Sequence, residues 1–230
     1  MKKVASGGPP PPLDRKLLDA ATAPYRPAGS FAYRFARGKL SRDPAFRTIV
    51  GREWIRPGSR VLDLGCGQGL LASLLLATDS GCRVRGIELM PTDAGRANTA
   101  LGGAAEIVCG DIRHEDFGQT DVAVILDVLH YIDYAAQDQV LRRLQASLQP
   151  GGLLLLRVGD ADAGLRFRLS NLVDHVVVFV RGHRLARLYC RPLVQWRKAL
   201  ESLGFEVEVI SLSHGTPFAN VLLKARASDS

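Results

Sequence analysis

The sequence has little of what would mark a secreted, membrane-spanning or metal-clasping chain. Its 230 residues hold four cysteines, at positions 66, 82, 109 and 190. They form no C-x-x-C pair and no cluster with ligand-like spacing, so free thiols in a reducing cytoplasm are the expectation. No apolar run approaches the roughly 20 residues a bilayer requires. The longest, Leu169 to Val180, is interrupted by Ser170, Asn171, Asp174 and His175. Lys2 and Lys3 lead into Gly-Gly and four prolines rather than an apolar signal core. These absences point to a soluble, cytoplasmic protein with no membrane span. Aromatic residues make up only 7%, few for the stacking platforms that read unpaired RNA bases. A Gly-Lys-Ser/Thr triphosphate loop is also missing.

What is present suits one globular domain with additions: 47% hydrophobic and 23% charged residues over 24.9 kDa. The formal charge of +7 is unevenly placed. Residues 1–60 carry +9 (13 Lys/Arg against 4 acids), 61–156 carry −6 (6 against 12), 157–198 carry +6 (9 against 3) and 199–230 carry −2 (2 against 4). Two basic segments flanking an acidic middle suit an acidic small molecule, an acidic carrier or nucleic acid. For any single arginine a solvated surface position is the plainer reading.

Residues 1–12, with Gly-Gly and four prolines, read as a flexible leader. Residues 13–59 read as a helical cap broken by Pro24, Pro27 and Pro44. From Arg60 to the end, strand-like and helix-like runs alternate. Strands are expected at 60–64, 83–88, 105–111, 121–126 and 153–158, and helices at Leu70–Ala77, Pro91–Leu101 and Ala135–Leu148. Pro150-Gly151-Gly152 reads as a helix stop and turn. Continuous apolar strands alternating with helices mean a parallel sheet covered on both faces. After a helix at Val194–Leu203 come strands at 205–212 and 218–225, separated by five residues. So short a link cannot hold a crossover, so the two must pair antiparallel. The expected fold is α/β: a doubly wound, seven-stranded, mostly parallel sheet with a C-terminal antiparallel hairpin.

Chemistry concentrates at the ends of the first three strands. V-L-D-L-G-C-G-Q-G (61–69) spaces its glycines as G-x-G-x-G, not the G-x-G-x-x-G of dinucleotide binding. Asp63 would repel a pyrophosphate there but would complement an ammonium. Glu88 ends the second strand in G-I-E-L, where a carboxylate can accept from two ribose hydroxyls. Asp111 closes the third strand in G-D-I, where an acid beside the Ile112 N–H can meet an adenine amine. A lone acid at such a place is usually a solvated strand end; the ordered set is harder to explain that way.

These motifs, with L-Q-P-G-G-L-L-L-L (148–156), resemble the class I S-adenosylmethionine-dependent methyltransferases over about residues 60–158. The resemblance implies S-adenosyl-L-methionine as cofactor. It implies Asp63, Gly65, Cys66, Gly67 and Gly69 around the methionine part, Glu88 with Leu89 at the ribose, Asp111 and Ile112 at the adenine, and Asp127 as a further cofactor contact. No carboxylate set resembles a magnesium site, so no metal is expected. An Asn-Pro-Pro-Tyr motif of amino-group methylation is absent after the fourth strand, as is a cysteine for a mobile-thiol mechanism.

The fourth strand runs into D-V-L-H-Y-I-D (127–133), which should border the transferred methyl. His130 is the candidate base for a hydroxyl or phenol acceptor; packing is its alternative role. Asp133 reads as a helix N-cap. Residues 159–191 form an insertion with apolar residues at helical spacing from Leu165 to Val180 and cations on the other face. It reads either as a helical lid over the acceptor or as a helix that extends the core. Tyr131, Arg166, Arg168 and His175 are candidate acceptor contacts. Residues 25–40, which mix aromatics with cations, offer a second wall, with Arg34 or Lys39 near the cofactor carboxylate.

The leading expectation is a small-molecule methyltransferase acting on a hydroxyl or activated carbon of an apolar, anionic acceptor, free or carrier-bound. G-D-A-D-A-G (159–164) and H-G-T-P-F-A-N-V-L-L (214–223) resemble stretches of bacterial methyltransferases from pigment pathways. The alternatives are an RNA methyltransferase using the basic segments, disfavoured because no RNA-binding module is attached, and a non-catalytic partner subunit with a cofactor fold. Sequence leaves the oligomeric state open.

Overall fold

The computed structural model describes residues 11–159, 188–212 and 220–228. Arg166, Arg168, His175, most of the 159–191 insertion, the link between the last two strands and most of the leader lie outside the described residues. Seven strands form one sheet: β1 Arg60–Leu64, β2 Arg83–Glu88, β3 Glu106–Cys109, β4 Thr120–Leu126, β5 Leu148–Gly159, β6 Phe205–Ser211 and β7 Asn220–Ala227, in the order β3-β2-β1-β4-β5-β7-β6. The pairs among β1 to β5 are parallel, while β7 runs antiparallel to both β5 and β6. The antiparallel pairing expected from the short link is present. The hairpin does not simply extend the sheet: β7 inserts beside β5 and leaves β6 at the edge.

The described helices are α1 (Arg15–Thr22), α2 (Ser30–Arg42), α3 (Pro44–Gly51), α4 (Leu70–Ala77), α5 (Pro91–Leu101), α6 (Tyr134–Ser147) and α7 (Leu193–Ser202). Because side chains alternate across a strand, each inner strand feeds two cores. Val61, Val84, Val124, Leu153 and Leu155 pack towards α1–α4. Leu62, Leu64, Ile125, Leu154, Leu156 and Val158 pack towards α6 and α7, where Trp196 is buried. Doubly buried strands explain the continuous apolar runs in the sequence. Asp63 and Arg157 keep the parity of Val61 and Leu155, so they point to the side of the N-terminal helices.

Several element boundaries differ from the sequence reading, most by one or two residues; those of β5 and β3 have a local cause. β5 begins at Leu148, five residues before the expected start, immediately after α6. Its register against β4 shifts between Thr120 and Val122, so Gln149 to Gly152 form a bulged entry to the strand rather than a turn outside it. Pro150 is tolerated at such an irregularity because no ladder bond is asked of it. β3 is shorter than its apolar run, ending at Cys109, and Asp111 lies in the loop beyond.

Candidate active site

The glycine loop leaves β1 and opens α4 with Gly65, Gly67 and Gly69 all at positive φ (71°, 56° and 72°). At two of them a side chain is barred twice over. A Cβ on Gly65 would lie 2.3 Å from Val128 Cγ2, and one on Gly69 would lie 2.9 Å from Leu101 Cδ1. At Gly67 a Cβ would meet nothing within 4 Å, so the loop presents a side-chain-free backbone face to open space. The Gly67 N–H donates to Glu88 Oε2 at 2.8 Å, and the Met90 N–H donates to Glu88 Oε1 at 2.9 Å. This carboxylate therefore fastens the loop to the end of β2, a tie carried by two charge-assisted bonds.

Asp63 stands behind the loop, buried. Burial first, and then the nearby Glu88 charge, push its carboxyl up to about 7. Among the described residues nothing donates a hydrogen bond to it. Two acids in a buried pocket without a cation form an unbalanced site. An ammonium placed against Asp63 and the open loop face would correct that imbalance, so the residues present fit a positively charged amino-acid group. Cys66, also buried, has its thiol pushed up by burial and by the same acids, which makes it inert packing beside the loop.

Asp111 is gripped by Arg113, whose Nε donates to both carboxylate oxygens at 3.0 and 2.9 Å and whose Nη2 stands 2.5 Å from Oδ2. These bonds hold the Asp111 carboxyl below its ordinary value. Ile112 is buried, whereas Leu89 is 55% exposed at the mouth of the same edge. The five strand-end positions Asp63, Gly65, Glu88, Asp111 and Asp127 thus sit at the carboxyl ends of β1 to β4, where ligands bind in open α/β sheets.

Asp127 has a left-handed backbone (φ 59°), uncommon for a non-glycine residue. Its carboxylate accepts from Arg157 Nε at 2.9 Å and pairs with Arg157 Nη2. Arg157, 4% exposed, also pairs with Asp43, the N-cap of α3, and Lys39 Nζ reaches Asp43 at 2.9 Å. Lys39, partly exposed, thus pairs with Asp43, and Arg34 is exposed on α2. His130 lies in the short 3-10 turn Leu129–Tyr131. Burial lowers its pKa, with the Asp127 charge opposing and Arg157 assisting. Its ring is 4.1 Å from that of Tyr131, which is 38% exposed. The returning chain docks here too: the Tyr189 N–H donates to the His130 carbonyl at 2.9 Å, and the buried Gln137 amide donates to the carbonyls of Leu129, Ile132 and Tyr189. Asp133 caps α6 through Ala136 N, as its position implies.

Sequence reasoning missed several supports. Tyr25, fully buried, donates from its hydroxyl to the Gln68 carbonyl at 2.7 Å, and Ser73 Oγ donates to the Ala21 carbonyl at 2.7 Å. The N-terminal helices are thereby bonded to the glycine loop and to α4. Gln68 also donates through Nε2 to Asp93 at 3.1 Å. These contacts join residues 25 to 52 positions apart, and no spacing rule finds them. Among the described residues there is no group of three His, Cys, Asp or Glu side chains placed to hold a metal, and no helix long and apolar enough to cross a membrane.

Residues 33–210 match the family described as the methyltransferase domain. The chain belongs to this family of S-adenosylmethionine-dependent methyltransferases. Carboxy-S-adenosyl-L-methionine synthase of Chromohalobacter salexigens is 32% identical over 115 residues, 47% of this methyltransferase and 43% of that protein. The chain thus spans less than half the length of that relative. The enzyme of the same name from Pseudomonas fluorescens is 28% identical over 182 residues, 70% of each chain. Among solved structures, the pyocyanin biosynthetic protein PhzM superposes with a TM-score of 0.64 at 18% identity, covering 90% of this chain and 61% of that one. Magnesium protoporphyrin IX methyltransferase from Synechocystis PCC 6803 with bound S-adenosylhomocysteine gives 0.59 at 20% identity, covering 87% and 89%. These structures share the fold.

Proposed function

We propose that this methyltransferase transfers a methyl group to a hydroxyl or activated carbon of a small, largely apolar and anionic acceptor. The observation that carries the reading is His130, a half-buried imidazole set in the turn after β4 beside the strand-end acids. Its pKa is lowered by burial, so the ring is neutral near pH 7 and able to accept a proton from an acceptor hydroxyl. S-adenosyl-L-methionine, when bound, supplies the activated methyl. The chain's own part is to hold it: Asp63 against the ammonium, the Gly65–Gly69 backbone along the amino-acid part, Glu88 at the ribose, and Asp111 with Ile112 at the adenine. Leu89 lies near the ribose and Asp127 borders the methyl end, while Tyr131 offers an exposed ring on the acceptor side. The 159–191 insertion would cover the acceptor, with Arg166, Arg168 and His175 facing its acidic group.

Glu88→Ala removes a carboxylate that both fastens the loop and faces the ribose. Affinity for S-adenosylhomocysteine should fall by about 5- to 150-fold, corresponding to roughly 1–3 kcal/mol. Calorimetry reads this directly, and a folded wild type that binds no S-adenosylhomocysteine would overturn the cofactor assignment.

His130→Ala should cut turnover by roughly 10²-fold while leaving cofactor affinity nearly unchanged. Because the base works as the neutral ring, activity should be lost as pH falls through a pKa below the ordinary histidine value of 6.5. Unchanged turnover would demote His130 to packing. The relatives' name, carboxy-S-adenosyl-L-methionine synthase, suggests a second outcome for the same assay. Mass spectrometry of the spent cofactor separates loss of a methyl from gain of a carboxyl. Methyl incorporation into a structured RNA, retained at high salt, would favour the nucleic-acid alternative.

A further inference from the structure

We infer that Arg143 of α6 is a positioning residue for recognition of the cofactor's adenine, acting through the loop that follows β3. The inference rests on the cofactor reading above. Residues 110–118 form neither strand nor helix, so their carbonyls have no ladder to join. Three of them accept from one side chain: Arg143 Nη1 donates to Ile112 O at 2.9 Å and to Arg113 O at 2.8 Å, and Nη2 donates to Glu115 O. The same guanidinium lies over the Phe117 ring, 4.3 Å from its centroid, and Phe117 is buried in the core beneath the sheet. A helix 30 residues away thereby holds four residues of an irregular loop.

The loop carries the adenine-facing groups. Asp111 Oδ1 accepts from the Arg113 N–H at 2.9 Å, and the Arg113 guanidinium forks onto both carboxylate oxygens. The Arg113 carbonyl is one of the three that Arg143 holds, so Arg143 fixes the residue that orients Asp111. Paired with Arg113, Asp111 stays ionised. An anionic carboxylate accepts from a 6-amino group and repels a 6-oxo group. Arg143 therefore bears on base selectivity as well as on affinity. Lysine could keep the charge but not the planar fork that spans three carbonyls.

The test is calorimetry of the full chain with S-adenosylhomocysteine and with S-inosylhomocysteine, in which the amine is replaced by a carbonyl oxygen. Wild type should prefer the amine by at least about tenfold. Arg143→Met and Arg143→Lys should each weaken S-adenosylhomocysteine by about tenfold and shrink that preference to about threefold or less. Arg142→Met removes the same charge from the exposed neighbouring position and should leave both quantities at the wild-type value. Should Arg143→Met fail to fold, Arg143→Lys carries the test alone. A folded Arg143→Lys with wild-type affinity and preference overturns the inference and leaves the cofactor assignment standing. Equal losses in the Arg142 and Arg143 variants overturn it in favour of a general charge effect. A wild type that binds neither nucleoside overturns both.

Discussion

At pH 8, Asp63→Asn is expected to bind S-adenosylhomocysteine about 100-fold more weakly than wild type, the effect of losing a charge-assisted bond in a buried site. The pH dependence makes the prediction specific. In the ligand-free chain the Asp63 carboxyl sits at about 7 because it is buried beside Glu88. A cationic amino group binds the ionised form, so wild-type affinity should rise by about tenfold per pH unit up to pH ~7 and then level off. The asparagine variant should show a flat profile over that range. Stability of the ligand-free chain should move the other way. An acid whose folded pKa is raised binds more protons in the native than in the unfolded state between about pH 4 and 7, so the native state loses stability as pH rises through that window. Asp63→Asn should remove the loss. Urea titrations at pH 5 and pH 8 read it, and a wild type equally stable at both with pH-independent binding would sink the assignment of Asp63 as the ammonium partner.

The parts of the molecule legible in its sequence are those where a local pattern has one structural solution. β1, β2, α4 and α5 match their expected residues because apolar runs end there in glycine or proline punctuation with a single sense. The strand-end acids and the glycine loop were legible for the same reason: G-x-G-x-G after a strand leaves little choice but a tight turn into a helix. β5 was misjudged at its start because Gln-Pro-Gly-Gly suits a turn and a bulged strand entry equally well. The position of β7 inside the sheet depends on which strand edge is free, and nothing local records that. What holds the site in place was hidden for a stronger reason. The bonds Tyr25 to Gln68, Arg143 to the loop after β3 and Arg157 to Asp43 link positions 43, 28–31 and 114 apart in the chain, and their partners are single polar residues among many that would read as solvated. Lys39 is of the same kind: its ion pair with Asp43 at 2.9 Å is not announced by its cationic, aromatic surroundings.

Arg157→Met is expected to lower stability by about 3–5 kcal/mol, the usual penalty for removing one member of a buried ionic network. Arg157 is 4% exposed and stands between Asp43 and Asp127. Burial works against charge on Asp43, yet Arg157 and Lys39 hold its carboxyl well below the usual carboxylate range. An acid depressed in the folded state contributes stability above its unfolded pKa and loses it as pH falls further. The network should therefore persist through mildly acid pH and weaken only below about pH 4. Much of the penalty in the single variant is the cost of leaving acids without their cation, so a compensated core should recover it. In Arg157→Met/Asp43→Ser/Asp127→Asn, serine keeps a cap for α3 and asparagine tolerates the left-handed backbone at 127. That triple variant should regain more than half of the lost stability in urea titrations. A single variant within about 1 kcal/mol of wild type would mean that the network is no structural tie between the N-terminal helices and the ends of β4 and β5. A triple variant no better than the single one would mean that packing around the Arg157 stem, rather than charge, supports the segment that carries Asp127 and His130.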